Sequence, residues 1–379
     1  MTTLRVVVDP VGDEPASGVG RYSADLTREL ISTAPRGCDV EGIVAARPQA
    51  DYDRIDDLLP GLTSLRKAPL GRRELAIAWQ TGLVRIPGRG MVHGTSLLAP
   101  LYRHDLVNEP GTQTVVTIHD ARAWTRPDSL PASTARWQRS MARRAYRFAD
   151  AVVVPTHTVA LELGEHIDFS DRLRVIGAAA PRAVVVPRDA DAVADRLGLP
   201  ERFILTVGSL EPRRGLEPLL EALAHPDDPG LPLVVVGPDT WNGLGLADTV
   251  ERLGLGEERV RSIPNPSDSE LAVLLQRASL FVYPSLEETD GSPLLAALSL
   301  GTPLIVSDAP ALVELADEAA IVITRDDRAG YPERLAQAMY QVANDLELST
   351  RLGIVGLDRS HAFSWRDSAE KVWQLHADL

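Results

Sequence analysis

Charged and hydroxyl side chains in the second half of the chain stand where they could hold a phosphate. Arg213 and Arg214 lie in a glycine-bounded loop after the apolar run 203–207, and Ser209 stands near the start of that loop. Paired guanidinium groups bind phosphate oxygens two at a time, and the helix expected next would add N–H donors. The pattern predicts a pyrophosphate clamp. The alternative that fits the same sequence is two surface arginines at an ordinary turn.

A second stretch joins an acidic loop to a helix start. The apolar run 280–283 predicts a buried strand, Glu288 follows in the loop, and Gly291, Ser292 and Pro293 open a helix in which Ser292 is the expected cap. A helix start with free N–H groups and a positive dipole end suits a phosphate. The alternative is a solvated acidic loop on an ordinary βαβ unit.

The first half offers two weaker candidates. His119 directly follows the buried run 114–118, and ligands of open α/β sheets bind at such strand ends. Gly18 and Gly20 lie in a loop before a helix expected from about residue 21. A lone histidine after a strand is more often structural, and a glycine loop is often only a turn, so the residue types leave both roles open.

The elements that must position these residues alternate twice along the chain. Apolar runs expected as strands fall at 4–8, 40–45, 91–93, 114–118, 151–155, 174–176, 183–187, 203–207, 233–237, 259–263, 280–283, 304–307 and 320–324. Helical patterns separate most of them, which predicts two doubly wound α/β domains with parallel sheets. The expected domains are 1–185 and 186–360, with a linker region at about 177–199.

Composition narrows the functional classes. A length of 379 residues suits two domains, and a net charge of −14 argues against a nucleic-acid binder. The single cysteine, Cys38, excludes an internal disulfide and a cysteine metal cage, and no metal-ligand spacing is visible. No run approaches the ~18 apolar residues of a membrane helix, and the run 4–8 is too short for a secretory signal. We expect a cytoplasmic protein without a metal or a cofactor.

A basic helix is predicted at residues 133–148. Arg136, Arg139, Arg143 and Arg147 fall on one face, and no acidic residue interrupts the stretch. The alternatives are a solvated basic face and a surface that meets anionic lipid or a polyanionic acceptor. The second would place the protein peripherally at the inner face of the membrane.

The two loops of the second half resemble the nucleotide-sugar signature of retaining glycosyltransferases of family 4. Pro284 and Ser285 lead to Glu288, a glycine turn and a helix, as in that family. The family's Glu-Pro-Arg-Lys-Gly run recurs with Arg214 at the lysine position, and its closing Phe-Ser-Trp recurs at 363–365. The resemblance covers nearly the whole chain.

The resemblance implies the GT-B fold, in which two Rossmann-like domains face a cleft and a final helix, here 361–379, packs back on the N-terminal domain. It implies that His119 and Glu288 contact the donor sugar in metal-independent transfer. It also implies that the donor is bound by Gly18, Gly20, Ser209, Arg213, Arg214, Asp290, Gly291, Ser292, Pro293 and Ala296.

Three positions depart from the family pattern. Ala296 stands where the family has a second glutamate, Asp290 where it has an aromatic residue, and Pro264 where it has the glycine of a base-binding turn. Two functions follow. The first is retaining transfer of a mannose- or rhamnose-like hexose from a nucleotide sugar to a glycan, a glycolipid or a small molecule. The alternative is a non-catalytic or subunit-dependent relative that acts as a binding or scaffold partner. A second copy of the chain is a further partner that the sequence allows.

Overall fold

The chain folds into two compact units. The computed structural model describes residues 2–13, 17–85, 90–104, 111–256, 258–288 and 291–379. The first unit comprises Met1–Ala178 with Ser364–Leu379, and the second comprises Ala179–Phe363. The boundaries expected from the sequence were residues 185 and 360. Within the described ranges, no helix combines the length and the apolar character needed to span a bilayer.

The first unit is built on a seven-stranded sheet whose strands are all parallel. The strand order is β3-β2-β1-β4-β5-β6-β7. The strands are β1 (Thr2–Val7), β2 (Cys38–Ala46), β3 (Ser64–Gly71), β4 (Met91–Gly94), β5 (Thr114–Thr117), β6 (Ala151–Val154) and β7 (Leu173–Val175). The central strands are buried along their length because helices cover both faces of a parallel sheet, which explains their valine-rich sequences.

Helices connect these strands. They are α1 (Gly18–Ser32), α2 (Gln49–Leu58), α3 (Arg72–Thr81), α4 (Arg122–Thr125), α5 (Ala132–Phe148) and α6 (His157–Gly164). Helix α5 buries Met141, Ala142 and Ala145 against β5 and β6, and its arginines lie on the other side of the helix. The predicted basic helix at 133–148 is therefore confirmed as a helix.

The second unit contains a six-stranded parallel sheet in the order β12-β9-β8-β13-β14-β15. The strands are β8 (Ile204–Val207), β9 (Leu233–Val236), β12 (Val260–Ile263), β13 (Leu280–Tyr283), β14 (Leu304–Ser307) and β15 (Ala320–Ile323), and a two-stranded antiparallel ribbon is formed by β10 (Thr240–Trp241) and β11 (Leu244–Gly245). Short strands with four apolar residues suffice because both faces are covered.

The helices of the second unit pack on both faces of this sheet. They are α7 (Ala190–Leu197), α8 (Leu216–Leu223), α9 (Leu246–Arg252), α10 (Asp268–Arg277), α11 (Ser292–Ser299), α12 (Pro310–Ala316), α13 (Tyr331–Asn344) and α14 (Leu346–Ser360). A capping box of Ser267 and Glu270 begins α10, and Asp345 caps α14. Leucine, valine and alanine side chains from α8, α9 and α13 form one continuous core with the strands.

The last helix, α15 (Trp365–Asp378), belongs to the first unit. Its Trp373 Nε1–H donates to the carbonyl of Leu30 at the C-terminal end of α1, at 3.1 Å, and its Ser368 hydroxyl donates to the carbonyl of Gly177 at 2.8 Å. His376 is fully buried and contacts His93 of β4. The chain therefore returns to the unit in which it began.

Three expectations about local structure are wrong. The apolar run 183–187 is not a strand: Val184 is buried, but Val185 is 63% exposed and no sheet partner lies beside them among the described residues. Gly18 and Gly20 are not in a loop but in the first turn of α1, which Ser17 caps. The cap of α11 is Gly291 rather than Ser292, because the backbone reverses at Gly291 in the left-handed region with φ 57°.

Candidate functional site

The chain order around β8 and β13 creates a crevice at the carboxyl edge of the second sheet. These strands are neighbours, yet the chain leaves β8 toward β9 and β12 on one side and leaves β13 toward β14 and β15 on the other. Loops that diverge in this way leave a gap between them, which is where open α/β sheets bind ligands. The two candidate loops of the sequence, 208–215 and 284–291, follow these two strands.

Hydrogen bonds join the two loops across the crevice. The backbone N–H of Leu286 donates to the carbonyl of Arg213 at 2.7 Å, and the Ser285 hydroxyl donates to the same carbonyl at 3.3 Å. Gly215 makes the approach possible: its φ is +68°, and a Cβ at this position would lie 2.0 Å from the carbonyl oxygen of Pro284. Only glycine fits this position.

Arg214 and Glu288 form an ion pair inside this crevice. Nη1 of Arg214 lies 2.8 Å from Oε2 of Glu288 and 3.2 Å from the hydroxyl of Tyr283, and that hydroxyl donates to the same carboxylate oxygen. The Glu288 side chain is only 6% exposed. The acidic loop is thus partly neutralised by the arginine of the opposite loop, and the sequence motif did not reveal Tyr283 as the third member.

The remaining residues of the arginine loop keep its shape. Residues Pro212–Arg214 form one turn of 3₁₀ helix. Nε of Arg213 donates to Oε1 of Glu211 at 2.7 Å, and the hydroxyl of Ser209 accepts from the N–H of Glu211 at 3.3 Å. Ser209 is nearly buried, so its position within the turn is defined by that bond.

Helix α11 starts at the same edge. Ser292 and Pro293 are its first two residues, and the cap residue Gly291 has no side chain to bond the first turn. Ala296, in the second turn, is only 1% exposed and lies in the apolar layer with Leu295 and Leu298. The position of the family's second glutamate is therefore part of the core here. Asp290, a further predicted donor-binding residue, lies outside the described residues.

The loop that carries Glu288 is held from its other side by residues that the sequence reasoning missed. Arg325, just after β15, donates from Nη1 to the carbonyl of Leu286 and from Nε to Oδ1 of Asp308, and from Nη2 to the carbonyl of Asp308 at 3.1 Å. Burial alone would raise the pKa of the Asp308 carboxyl, but the bonds from Arg325 bring it below its ordinary value. The Tyr331 hydroxyl donates to the carbonyl of Pro284 at 3.2 Å.

In the first unit, His119 lies at the carboxyl edge after β5. Its Nε2 is 2.8 Å from the carbonyl oxygen of Thr95, so Nε2 carries a proton, and in the neutral imidazole Nδ1 is the acceptor. Tyr22 of α1 packs edge-on against the imidazole with ring centroids 4.8 Å apart, and burial raises the pKa of Tyr22 to about 12. The neighbouring Asp120 binds Arg122, at 2.9 Å, rather than the histidine.

Thr95 connects His119 to the start of α1. Its hydroxyl donates to the carbonyl of Val7 at 2.8 Å and accepts from the hydroxyl of Ser23 at 2.8 Å. At the first turn of α1, Ser17 accepts from the N–H of Gly20, where a Cβ would lie 2.6 Å from the carbonyl of Pro10. Gly18, Gly20 and His119 therefore lie along one edge of the first sheet.

Metal-ligand geometry is found elsewhere. Among the described residues, the one set of histidine, aspartate or glutamate side chains close enough to share an ion is His225, Asp227 and Glu333, near the ends of α8 and α13. This set includes no predicted site residue.

Two sequence-family models match the chain in succession. The model of Glycosyltransferase Family 4 matches residues 16–179, and the model of Glycosyl transferases group 1 matches residues 187–357. The first match falls largely within the first unit and the second within the second unit.

Curated relatives are similar at low identity. The O-antigen chain mannosyltransferase B of Escherichia coli is 25% identical over 93% of this chain and 94% of its own. The O-antigen chain mannosyltransferase RfbU of Salmonella typhimurium is 24% identical over 82% of this chain and 84% of its own. A D-inositol 3-phosphate glycosyltransferase of Nocardioides is 27% identical, over 60% of this chain and 53% of its own.

Solved structures share the fold. Sucrose-phosphate synthase from Thermosynechococcus elongatus superposes with a TM-score of 0.73 at 21% identity, covering 100% of this chain and 99% of its own. HepE of Anabaena, solved with UDP and glucose, superposes with a TM-score of 0.73 at 16% identity and full coverage of both chains. With two parallel-sheet units and both family models matched, the chain belongs to glycosyltransferase family 4 and has the GT-B fold.

Proposed function

We propose that this glycosyltransferase moves a mannose- or rhamnose-like hexose from a nucleotide sugar to a glycan, lipid-linked or small-molecule acceptor, with retention at the anomeric carbon. The contact between Arg214 and Glu288 carries the proposal, because it brings a phosphate-binding group and a hydroxyl-binding group together in one crevice. The similarity to two O-antigen chain mannosyltransferases supports hexosyl transfer in polysaccharide biosynthesis, and the similarity to HepE, solved with UDP and glucose, supports a nucleotide-sugar donor.

Arg213, Arg214, Glu288, His119 and the start of α11 each have a defined part in this proposal. Arg213, Arg214 and the start of α11 bind the diphosphate, whose negative charge grows as the bond from C1 of the sugar to the phosphate oxygen breaks. A guanidinium has five N–H donors, so Arg214 can bind a phosphate and a carboxylate together. Glu288 accepts hydrogen bonds from hydroxyls of the donor sugar, and Nδ1 of His119 accepts another.

The proton balance requires no protein base. The acceptor oxygen forms the new bond to C1, and its proton passes to the phosphate oxygen that leaves. No step in this scheme requires a metal ion or a further cofactor, because Arg213 and Arg214 supply the positive charge.

A transfer assay with matched variants tests the function. The chain is incubated with GDP-mannose, dTDP-rhamnose and UDP-glucose in turn, and release of nucleoside diphosphate is measured with candidate acceptors. We expect turnover with one donor, a product by NMR that keeps the donor's anomeric configuration, and a loss of about 100-fold or more in Glu288→Gln. Glu287→Gln removes the same charge one residue away and serves as the control.

The same experiment separates the enzyme from a non-catalytic relative. If the folded protein neither binds nor turns over any nucleotide sugar, as judged by calorimetry and an unchanged melting curve, it is a binding or scaffold protein. Turnover that survives in Glu288→Gln with the same melting temperature contradicts the role of Glu288.

We also propose that the basic face of α5 contacts an anionic membrane. Arg136, Arg143 and Arg147 are exposed, and the neighbouring helix α3 exposes Ile77 (60%), with Leu83 (81%) just after its end. Apolar side chains beside cations are the combination that binds anionic bilayers.

Vesicle sedimentation tests this surface. We expect binding to phosphatidylglycerol vesicles that the triple variant Arg136→Ala, Arg143→Ala, Arg147→Ala loses, since each cation near an anionic surface contributes about 1 kcal/mol. Arg139 is left unchanged because its Nε donates to the carbonyl of Ala123 at 2.6 Å and supports the fold. A triple variant at the exposed Arg252, Arg261 and Arg366 is the control, and equal losses in both variants contradict the assignment.

A further inference from the structure

Helix α14 is fixed to the second unit by one face and leaves an apolar stripe exposed on the other. Gly353 allows close packing against the end of α11, because a Cβ there would lie 2.6 Å from the carbonyl oxygen of Gly301. On the outer face, Leu346 is 82% exposed and Ile354 56%, whereas Leu357 packs toward Gly301. A helix that exposes two large apolar side chains in one stripe is typical of an interaction surface.

Two charges stand beside this stripe. Glu347 and Arg351 are exposed, and neither belongs to an ion pair among the described residues, although they are one turn apart. They line, together with Leu346, Thr350 and Ile354, a shallow depression of ≈ 600 Å³. One acid and one base on an apolar helix face form a pattern that can pair with an inverted copy of itself.

We propose that the protein forms a two-fold symmetric dimer in which α14 packs antiparallel against α14 of a second copy. With the axis beside Thr350, Leu346 of each copy lies opposite Ile354 of the other, because both are four residues from the axis. Arg351 of each copy then lies about 3 Å along the helix from Glu347 of the other, which is within the reach of an arginine side chain. A two-fold interface forms both ion pairs at once.

The charge balance of the face favours a second copy over other occupants. The whole chain carries a net charge of −14, so two copies repel each other over most of their surfaces. At the α14 face, however, each copy brings the partner that the other copy's Glu347 and Arg351 lack. A face that presents a carboxylate beside its cation is poorly suited to an anionic bilayer or a polyanion.

Analytical ultracentrifugation over a concentration series tests the dimer. We expect a species of twice the 41.0 kDa chain mass that dissociates on dilution. Ile354→Glu places a carboxylate opposite Leu346 of the other copy and should raise the dimer dissociation constant by about 30-fold or more. Leu161→Glu, which changes an exposed leucine on α6, should leave the dissociation constant unchanged.

Charge reversal tests the pairing itself. Glu347→Arg and Arg351→Glu should each weaken the dimer by about 5–10-fold, since each creates two repulsive pairs across the axis. The double variant restores opposite charges in a symmetric dimer and should recover the original constant within about threefold. A double variant no tighter than the single ones overturns the antiparallel register.

Cross-linking gives an independent measure of the same axis. In a Cys38→Ser background, Thr350→Cys should form a disulfide-linked dimer on mild oxidation, whereas Arg366→Cys on the exposed face of α15 should not. A chain that stays monomeric at about 100 µM, or a dimer that Ile354→Glu does not affect, overturns the proposal. None of these results depends on the transfer reaction, so they test the dimer independently of the proposed function.

Discussion

The two units contain the same kind of sheet but build different chemistry at its carboxyl edge. In the second unit, the edge is charged: Arg214 and Glu288 form an ion pair, and Arg325 binds Asp308 on the other side of the same loop. In the first unit, a carbonyl and an aromatic ring, those of Thr95 and Tyr22, hold the imidazole of His119, and the ion pair of Asp120 and Arg122 lies beside it. The difference is that the predicted site residues of the second unit, Arg214 and Glu288, are themselves an ion pair, whereas the predicted His119 of the first unit has uncharged partners.

The two edges also differ in where the support of their loops comes from. The carbonyls of Pro284, Ser285 and Leu286 accept from Tyr331, Ser307 and Arg325, which come from α13, β14 and the end of β15. In the first unit, the loop before α1 is supported by two arginines: Arg47, just after β2, donates to the carbonyl of Asp9 at 2.8 Å, and Arg54 of α2 donates to the carbonyl of Gly12 at 3.1 Å. A loop supported by three elements keeps its site ordered before the ligand arrives, which lowers the entropic cost of binding.

Glycine substitutions should give the largest effects on stability. The size of each loss compares how tightly the backbone is packed at the two edges. Gly215→Ala places a Cβ in the left-handed region and 2.0 Å from a carbonyl oxygen, so we expect a loss of about 3 kcal/mol or more in unfolding free energy. Gly20→Ala has only the steric conflict, at 2.6 Å, and should cost about 1–2 kcal/mol. Urea midpoints measure both.

The control for this ranking is Gly254→Ala. Gly254 has φ +67°, close to that of Gly215, but no heavy atom lies within 4 Å of the point that a Cβ would occupy. Gly254→Ala should therefore lower the free energy of unfolding only by the conformational cost of the left-handed backbone, about 1 kcal/mol. Equal losses at 215 and 254 would show that the close approach of the two loops is not rigid.

Removing Arg325 should loosen the edge of the second unit. Arg325→Leu removes the guanidinium bonds to Asp308 and to the carbonyl of Leu286, so we expect a loss of about 2–3 kcal/mol and faster amide exchange in the loop that carries Glu288. Hydrogen exchange measured by mass spectrometry reports both the loop and the rest of the unit. Arg334→Leu, which removes bonds to Thr324, is the matched control and should leave that loop unchanged.

Acid should destabilise the first unit through a buried histidine pair. His93 and His376 face each other with Nδ1 and Nε2 3.4 Å apart, and burial lowers the pKa of His93 to about 4 and that of His376 well below its ordinary value. Because the unfolded chain binds these protons near pH 6.5, stability is complete above that value and falls as the pH drops toward 4. His93 alone predicts a loss of about 2 kcal/mol between about pH 7 and pH 5.

Melting temperatures across this pH range check the histidine pair. The double variant His93→Leu, His376→Leu should flatten the profile, while His361→Leu, at an exposed position, should keep the original slope. A slope that persists in the double variant assigns the acid sensitivity to other groups.

The smallest effect is expected at the turn after β12. Pro264 lacks the backbone N–H that a glycine there would offer to a nucleotide base, so Pro264→Gly should tighten UDP or GDP binding by about 3-fold. Calorimetry on the folded variant measures it. Unchanged affinity would mean that the base is not held at this turn.

The fold could be predicted where local patterns dominate. Runs such as 114–118 and 203–207 form strands because short, uninterrupted apolar runs are readily buried in a sheet covered on both faces. The edge strand β3 was missed because Ser64–Gly71 is largely exposed and has no apolar run. The strand predicted at 183–187 is wrong because the composition of this run matches a strand, whereas composition does not reveal whether a neighbouring strand is available.

The site could be predicted in part. Arg214 and Glu288 each belong to a recognisable loop, but they are 74 residues apart, and their pairing depends on β8 and β13 being neighbours. Tyr283, Arg325 and Asp308 carry no motif, since their importance comes only from contacts made by the folded chain. The assignment of Ser292 as a cap failed because a serine before proline fits both the cap and the first helical position.

The central claim is that the crevice between the loops after β8 and β13 binds the diphosphate of a nucleotide sugar. Isothermal titration of the full chain with UDP, GDP and dTDP tests it most directly. We predict one site for at least one of them, weakened about 100-fold or more by Arg213→Ala with Arg214→Ala and unchanged by Arg252→Ala. Binding that is equally strong in the double arginine variant, or no binding by any of the three to the folded protein, would contradict the claim.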